Sequence, residues 1–241
     1  MKMVAFNGSP RAEKGNTHVI VEAFLKGAAT AGAEVENIFL ARKEINPCRG
    51  CLACWLKTPG HCVTNDDMAE LLEKFSSCDV VVFATPLYVD NVTGLMKNFM
   101  DRFMPGADPH FSKDKNGECR HNATIKPPKF VVISNCGFPE ISHFQVLKLL
   151  FKRVARNFNT EVIGEIYRSG GALLADHPVV LKPLIYRYKQ LVRKAGQQIV
   201  NNGRISEELQ MLLEKPLLPK HVYIEQANRY FDRELQKLEN T

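Results

Sequence analysis

The segment Asp79-Val80-Val81-Val82-Phe83-Ala84 has no polar residue after its first position, and Thr85-Pro86-Leu87-Tyr88 follows it at once. A strand with one face in water alternates apolar and polar residues. A strand without alternation is covered on both faces, as in a parallel sheet held between helices. The same continuous pattern recurs at Met3-Val4-Ala5-Phe6 and at Phe130-Val131-Val132-Ile133-Ser134. Two further strands are predicted within 34–41 and at 161–167. Helical periodicity fills the intervals. Residues 17–31 place Val19, Ile20, Ala23, Phe24 and Ala28 at helical spacing, and a helix beginning at Asp66, its N-cap, gathers Met68, Leu71, Leu72 and Phe75. Helices are also predicted over 92–104 and 144–158. Alternation of this kind predicts a three-layer α/β domain with a five-stranded parallel sheet.

Two stretches leave this rhythm. Residues 105–128 are mostly polar and flanked by Gly and Pro, and a connection of that length is expected to be a functional or disordered loop. Beyond Gly171 the pattern gives helices at 178–201, 206–214 and 221–238 and no strand. The last places Val222, Ala227, Tyr230, Phe231 and Leu235 near one stripe. The expected organisation is a domain over 1–175, with the long loop inserted at 105–128, and a helical extension over 176–241.

Composition narrows the class. The chain has 241 residues, 45% of them hydrophobic, which excludes a disordered protein. No apolar run reaches the roughly 18 residues of a membrane span, and the apolar start is too short for a signal peptide, so a cytoplasmic protein is expected. The net charge of +6 is unevenly placed: residues 1–147 carry 16 basic and 16 acidic residues, and residues 148–241 carry 16 and 10. A basic C-terminal part raises nucleic acid as a partner. However, Lys182, Arg187, Lys189, Arg193 and Lys194 lie in an amphipathic helix without a nucleic-acid-binding signature, so a solvated face is expected.

Three loops follow strands on what would be one sheet edge, where open parallel sheets bind ligands. The first, 7–17, runs from a strand into a helix and offers free amides at the helix start. Ser9, Asn16 and Thr17 add donors there, and Arg11 adds charge. It lacks both GxxxxGK[ST] and GxGxxG, so a phosphate monoester fits better than a triphosphate, and a simple capped turn is the plainer alternative. The second, 84–91, offers Pro86, Leu87, Tyr88 and Asn91, an apolar and amide surface suited to a flat heterocycle. The third offers Asn135, Cys136 and Gly137.

Four of the seven cysteines, Cys48, Cys51, Cys54 and Cys62, form C-x2-C-x2-C-x7-C. The run admits three readings: ligands of a [4Fe–4S] cluster, a zinc site, or unligated thiols beside an active site. Trp55 within it would shield a cluster, flank a ligand or simply pack. Cys78, ahead of a buried strand, is expected in the core.

Taken together, Gly8-Ser9-Pro10-Arg11, Gly15-Asn16-Thr17, the cysteine run ending in Asp66-Asp67-Met68, Thr85-Pro86-Leu87-Tyr88, Leu95, Lys97-Asn98 and Asp101-Arg102 resemble the flavodoxin-like NAD(P)H-dependent FMN reductases, and within them the iron–sulfur flavoproteins. The resemblance implies an FMN phosphate held by Ser9, Arg11, Asn16 and Thr17. It implies a flavin ring against Pro86, Leu87, Tyr88 and Asn91, closed by Asn135, Cys136 and Gly137. It implies NAD(P)H as co-substrate, a cluster on the four cysteines in the iron–sulfur members, and homodimers or homotetramers. The acceptor would be a quinone, a flavin or another small molecule, or a redox protein such as ferredoxin. The segment Cys48-Arg49-Gly50-Cys51 also matches relatives that carry a similar run without a cluster. Residues 105–128 and the C-terminal helices lie outside the resemblance.

Overall fold

A computed structural model describes residues 1–175 and 178–239. Its main sheet contains β1 (Lys2–Asn7), β2 (Glu34–Phe39), β3 (Val80–Pro86), β6 (Lys129–Asn135) and β7 (Val162–Arg168), all parallel, in the order β2-β1-β3-β6-β7. This is the flavodoxin-like arrangement. The strand order reverses around β1, which opens a crevice between the carboxyl ends of β1 and β3. Register sets Asn7 against Ala84, Pro86 against Asn135, and Asn135 against Arg168, so the strand ends stand in one row.

Strand side chains alternate between faces, and the sequence loads each face with its own core. Met3, Ala5, Val80, Val82, Val131 and Ile133 face α1 (Asn16–Thr30), α6 (Lys182–Asn202) and α7 (Glu207–Glu214). Val4, Phe6, Val81, Phe83, Phe130 and Val132 face α3 (Met68–Ser76), α4 (Gly94–Asp101) and α5 (Gln145–Asn157). The second core is aromatic. Phe83 meets Phe130 edge to face at 5.0 Å, a favoured geometry for two rings. In the first core α1 and α6 cross in close contact. A Cβ on Gly27 would strike the Arg193 carbonyl, and one on Gly196 the Phe24 carbonyl. The first helix of the C-terminal part is thus packed into the same core as the sheet.

The structure departs from the sequence expectations in three places. Residues 105–128 are no open loop: β4 (Ala107–Lys113) and β5 (Cys119–Ala123) form an antiparallel hairpin. It is tied to α5 by Arg156–Asp114 at 2.9 Å and by Arg153–Glu118. The helix expected from Asp66 begins at Met68, whose amide the Asp66 carboxylate accepts at 3.1 Å, and the helix expected from 92 begins at Gly94 with Thr93 as cap. The apolar stripe expected on the final helix, α8 (Lys220–Glu239), does not meet the core. Tyr223 is its one buried residue, and Tyr230, Phe231 and Leu235 are exposed. No helix among the described residues is long and apolar enough to cross a membrane.

Candidate functional site

The strand ends create a braced rim. Gly8 N donates to the Ala84 carbonyl at 2.7 Å, and Thr93 Oγ1 donates to the Gly8 carbonyl at 2.7 Å. Thr93 N in turn donates to Thr85 Oγ1, and Thr93 Oγ1 caps α4 at Met96 N. These bonds fix the loop after β1 to the loop after β3. Thr93 precedes Gly94 as a helix cap should, a signal the periodicity alone did not use.

Asn135 ties the third loop to both others. Its carbonyl accepts from Leu87 N at 2.9 Å, and its Oδ1 accepts from Thr17 Oγ1 at 2.9 Å. Thr17 and Asn135 are both buried, so neither group has water to fall back on. Cys136 N donates to the Arg168 carbonyl, and Gly171 N donates to the Cys136 carbonyl at 2.8 Å. Burial pushes the Cys136 thiol up to about 11, so it stands as a neutral, apolar wall at pH 7. Gly137 is exposed, and its carbonyl accepts from Tyr223 OH at 2.6 Å.

The phosphate-binding expectation meets a fitting surface. Helix α1 has fifteen residues, and Gly15 ahead of it supplies no side-chain cap. A Cβ at Gly15 would run into Ser9 Oγ, so the glycine lets that hydroxyl sit directly against the helix start. Asn7, whose Oδ1 accepts from Ser9 N at 3.0 Å, has its Nδ2 buried without a partner, a donor that a ligand oxygen would satisfy. Arg11 is exposed. One of the expected donors is already engaged, Thr17 Oγ1 by Asn135, and the Asn16 side chain is held in place by its Oδ1, which accepts from Ala175 N at 2.8 Å. The backbone amides of both at the helix start, and Asn16 Nδ2, are left for an anion.

On the opposite side of β3's end, Pro86 and Leu87 are half-buried while Tyr88 and Asn91 are exposed. Tyr88 and Asn91 exchange both backbone hydrogen bonds around a two-residue turn. Val89 and Asp90, its central residues, have φ of +47° and +56°. A β-branched residue in that region is strained. Val89 is 97% exposed, so packing does not impose the geometry.

The cysteine loop is a second region. Cys48, Cys51, Cys54 and Cys62 all line one hollow of about 280 Å³, floored by Arg102. Cys48 and Cys51 are exposed. Among the described residues, no three His, Cys, Asp or Glu side chains converge as a metal-holding group. The donor set thus suits a cluster, but the thiols are not gathered around one point.

The loop is anchored beneath. Arg102, 2% exposed, reaches Asp66 at 2.6 Å and 3.1 Å and the Asn46 carbonyl at 2.6 Å. Burial would raise the Asp66 carboxyl, but hydrogen bonds from Arg102 and from the Asn46 and Met68 amides hold it down at about 2. Burial would also raise Cys62, yet Thr64 and the Arg102 guanidinium pull it below the ordinary thiol value, whereas burial and the neighbouring cysteines raise Cys54. Trp55 packs: its Nε1 donates to the Met104 carbonyl at 2.9 Å and its ring meets His121 of the hairpin at 5.0 Å. Cys78 is buried in the core as expected.

Residues 1–117 match the sequence profile of a family described as NADPH-dependent FMN reductase. An iron–sulfur flavoprotein of Archaeoglobus fulgidus is 42% identical over 117 residues, which are 48% of this chain and 52% of that protein. The chain thus spans about half the length of the iron–sulfur flavoproteins it matches. A Bacillus subtilis protein named as an NAD(P)H-dependent FMN-containing oxidoreductase is 27% identical over 183 residues, covering 73% of this chain and 91% of its own. Among solved structures, an FMN-dependent NADH-azoreductase from Bacillus anthracis, in complex with FMN, superposes with a TM-score of 0.61 at 19% identity. That match covers 83% of this chain and 99% of the azoreductase.

Proposed function

We propose, from the match of residues 1–117 to the NADPH-dependent FMN reductase profile and to iron–sulfur flavoproteins, that this chain is an FMN-dependent oxidoreductase of that family. It would pass electrons from NAD(P)H through the flavin to a small-molecule acceptor such as a quinone or free flavin. The observation that carries this reading is the rim itself. Three loops are braced to one another at the switch point, beside an uncapped helix start and a buried, partnerless Asn7 amide.

FMN supplies hydride acceptance and electron release when bound; the protein's work is placement and tuning. The Asn16 and Thr17 amides, Ser9 and Arg11 would hold the phosphate. Pro86, Leu87, Tyr88 and Asn91 would lie against the ring, with Asn135, Cys136 and Gly137 closing it. Thr17 and Thr93 act behind these residues, holding the loops in register. Residues 1–175 form the flavin-binding unit in this reading, in a cytoplasmic protein that assembles as a homodimer or homotetramer. Anaerobic mixing of the FMN-loaded protein with NADH or NADPH tests it. Bleaching of the flavin absorbance is expected, and a flavin that stays oxidised with both refutes it.

A second reading adds electron transfer to a protein such as ferredoxin. It is favoured by one observation: all four cysteines line a single hollow above a buried arginine. Cys48, Cys51, Cys54 and Cys62 would ligate a [4Fe–4S] cluster, which supplies one-electron relay. Arg102 would help keep Cys62 ionised. Iron and sulfide analysis after anaerobic purification decides it, and absence of both eliminates it.

A further inference from the structure

The C-terminal helix has a peculiar attachment. Although α8 has twenty residues, Tyr223 is the one it buries, and Tyr230, Phe231, Leu235 and Leu238 face solvent. Apolar burial along its length therefore does not hold it to the body. Its first turn does, through contacts that converge on a single loop. Tyr223 OH donates to the Gly137 carbonyl at 2.6 Å, and Lys220 Nζ pairs with Glu140 at 2.5 Å. The Tyr223 ring packs on Gly170, whose φ is +61°. A Cβ there would come within 3.3 Å of the ring. Gly170 N donates to the Phe138 carbonyl at 2.7 Å, so the ring bears on the same loop from below. The segment leading into α8 is fixed as well, because the buried Arg168 donates to the Lys215 carbonyl at 2.8 Å.

That loop, 136–140, follows β6. Its first residue is fastened to β7 by Cys136 N, which donates to the Arg168 carbonyl, and to the turn beyond β7 by its carbonyl, which accepts from Gly171 N. From Gly137 onward the fastening passes to Tyr223, Lys220 and Gly170, with the His143 ring stacked on Phe138 at 4.0 Å and 3.5 Å from Glu140.

We propose that Tyr223 and Lys220 are positioning residues that set the height of loop 136–140 against the flavin ring, so that the first turn of α8 belongs to the cofactor site. The proposal rests on the FMN reading above and assigns a role to a helix outside the matched region. Tyr223→Phe keeps the ring packing and removes only the hydroxyl donor, so it separates positioning from folding.

The test uses the full chain with two readouts. Hydrogen exchange on the FMN-free protein should speed up about fivefold in Y223F at the Gly170 and Gly171 amides, which donate to the Phe138 and Cys136 carbonyls of the loop, the effect of losing one hydrogen bond. FMN titration should show affinity about fivefold weaker and a shifted visible band of the bound flavin, at a nearly unchanged melting temperature. Lys220→Gln should move both in the same direction by less. Unchanged exchange, or unchanged affinity and spectrum, in Y223F overturns the proposal. Wild-type protein that binds no FMN overturns the flavin reading and this proposal with it, and the wild-type titration alone identifies that case.

Discussion

The strand-end rim and the cysteine loop lie on one molecule and are held in opposite ways. In the rim, the bonds run between the functional loops themselves: Thr17 to Asn135, Thr93 to Gly8, Leu87 to Asn135. In the cysteine loop the bonds lie at the base, where Asp66 collects Arg102, Asn46 N and Met68 N, while Cys48 and Cys51 stand in solvent. The rim is organised before any ligand arrives. The cysteine loop is anchored at its base, where Arg102 also reaches Cys62, and leaves Cys48 and Cys51 free to be drawn in by what they bind. Preorganisation of the first kind suits a large, rigid cofactor, and the second suits metal ligation coupled to local ordering.

The largest expected effect falls on the anchor. Asp66→Ala leaves Arg102 buried without its counter-charge and should cost about 3–5 kcal/mol in chemical denaturation. Cys51→Ser, at an exposed thiol of the same loop, should stay within about 0.5 kcal/mol. Equal costs for the two would erase the distinction between anchored base and free thiols.

Acid should release the same anchor. The Asp66 carboxyl is held at about 2 in the folded state, below its unfolded value. Its contribution is therefore fully present above about pH 4 and is lost as pH falls toward about 2. The loss of stability between pH 6 and pH 3 should be smaller in Asp66→Asn than in the wild type. An identical pH dependence in both would show that the pair does not carry the anchor.

On the rim, Thr17→Val leaves Asn135 Oδ1 buried and unpaired and should cost about 1–3 kcal/mol, read from the denaturation midpoint. The last effect has the opposite sign. Val89→Asn relieves a β-branched residue from a left-handed turn and should stabilise the protein by about 1 kcal/mol. A destabilised Val89→Asn would mean that the turn is held by contacts other than its own backbone.

The sheet was legible because its three central strands are continuous apolar runs, and burial of both faces leaves no other use for Val80-Val81-Val82-Phe83. The hairpin was not. Ala107–Lys113 reads Ala-Asp-Pro-His-Phe-Ser-Lys, with a proline and no alternation, and charges on α5 fix it in place. The stripe on α8 was visible, but periodicity says only that a helix has an apolar face, never what covers it. The candidate site divides the same way. Its residue types follow from their places after strands. The Thr17–Asn135 bond joins residues 118 positions apart, and the Asn16 side chain is claimed by Ala175. Such pairings depend on how the loops fold over one another, which no local pattern encodes.

Flavin retention tests the central claim most directly. The full chain is incubated with FMN under anaerobic conditions, freed of unbound flavin by gel filtration, and its visible spectrum recorded. Flavin bands that travel with the protein in stoichiometric amount are the predicted result. A colourless protein peak, with all flavin in the late fractions, contradicts the assignment of the rim as an FMN site.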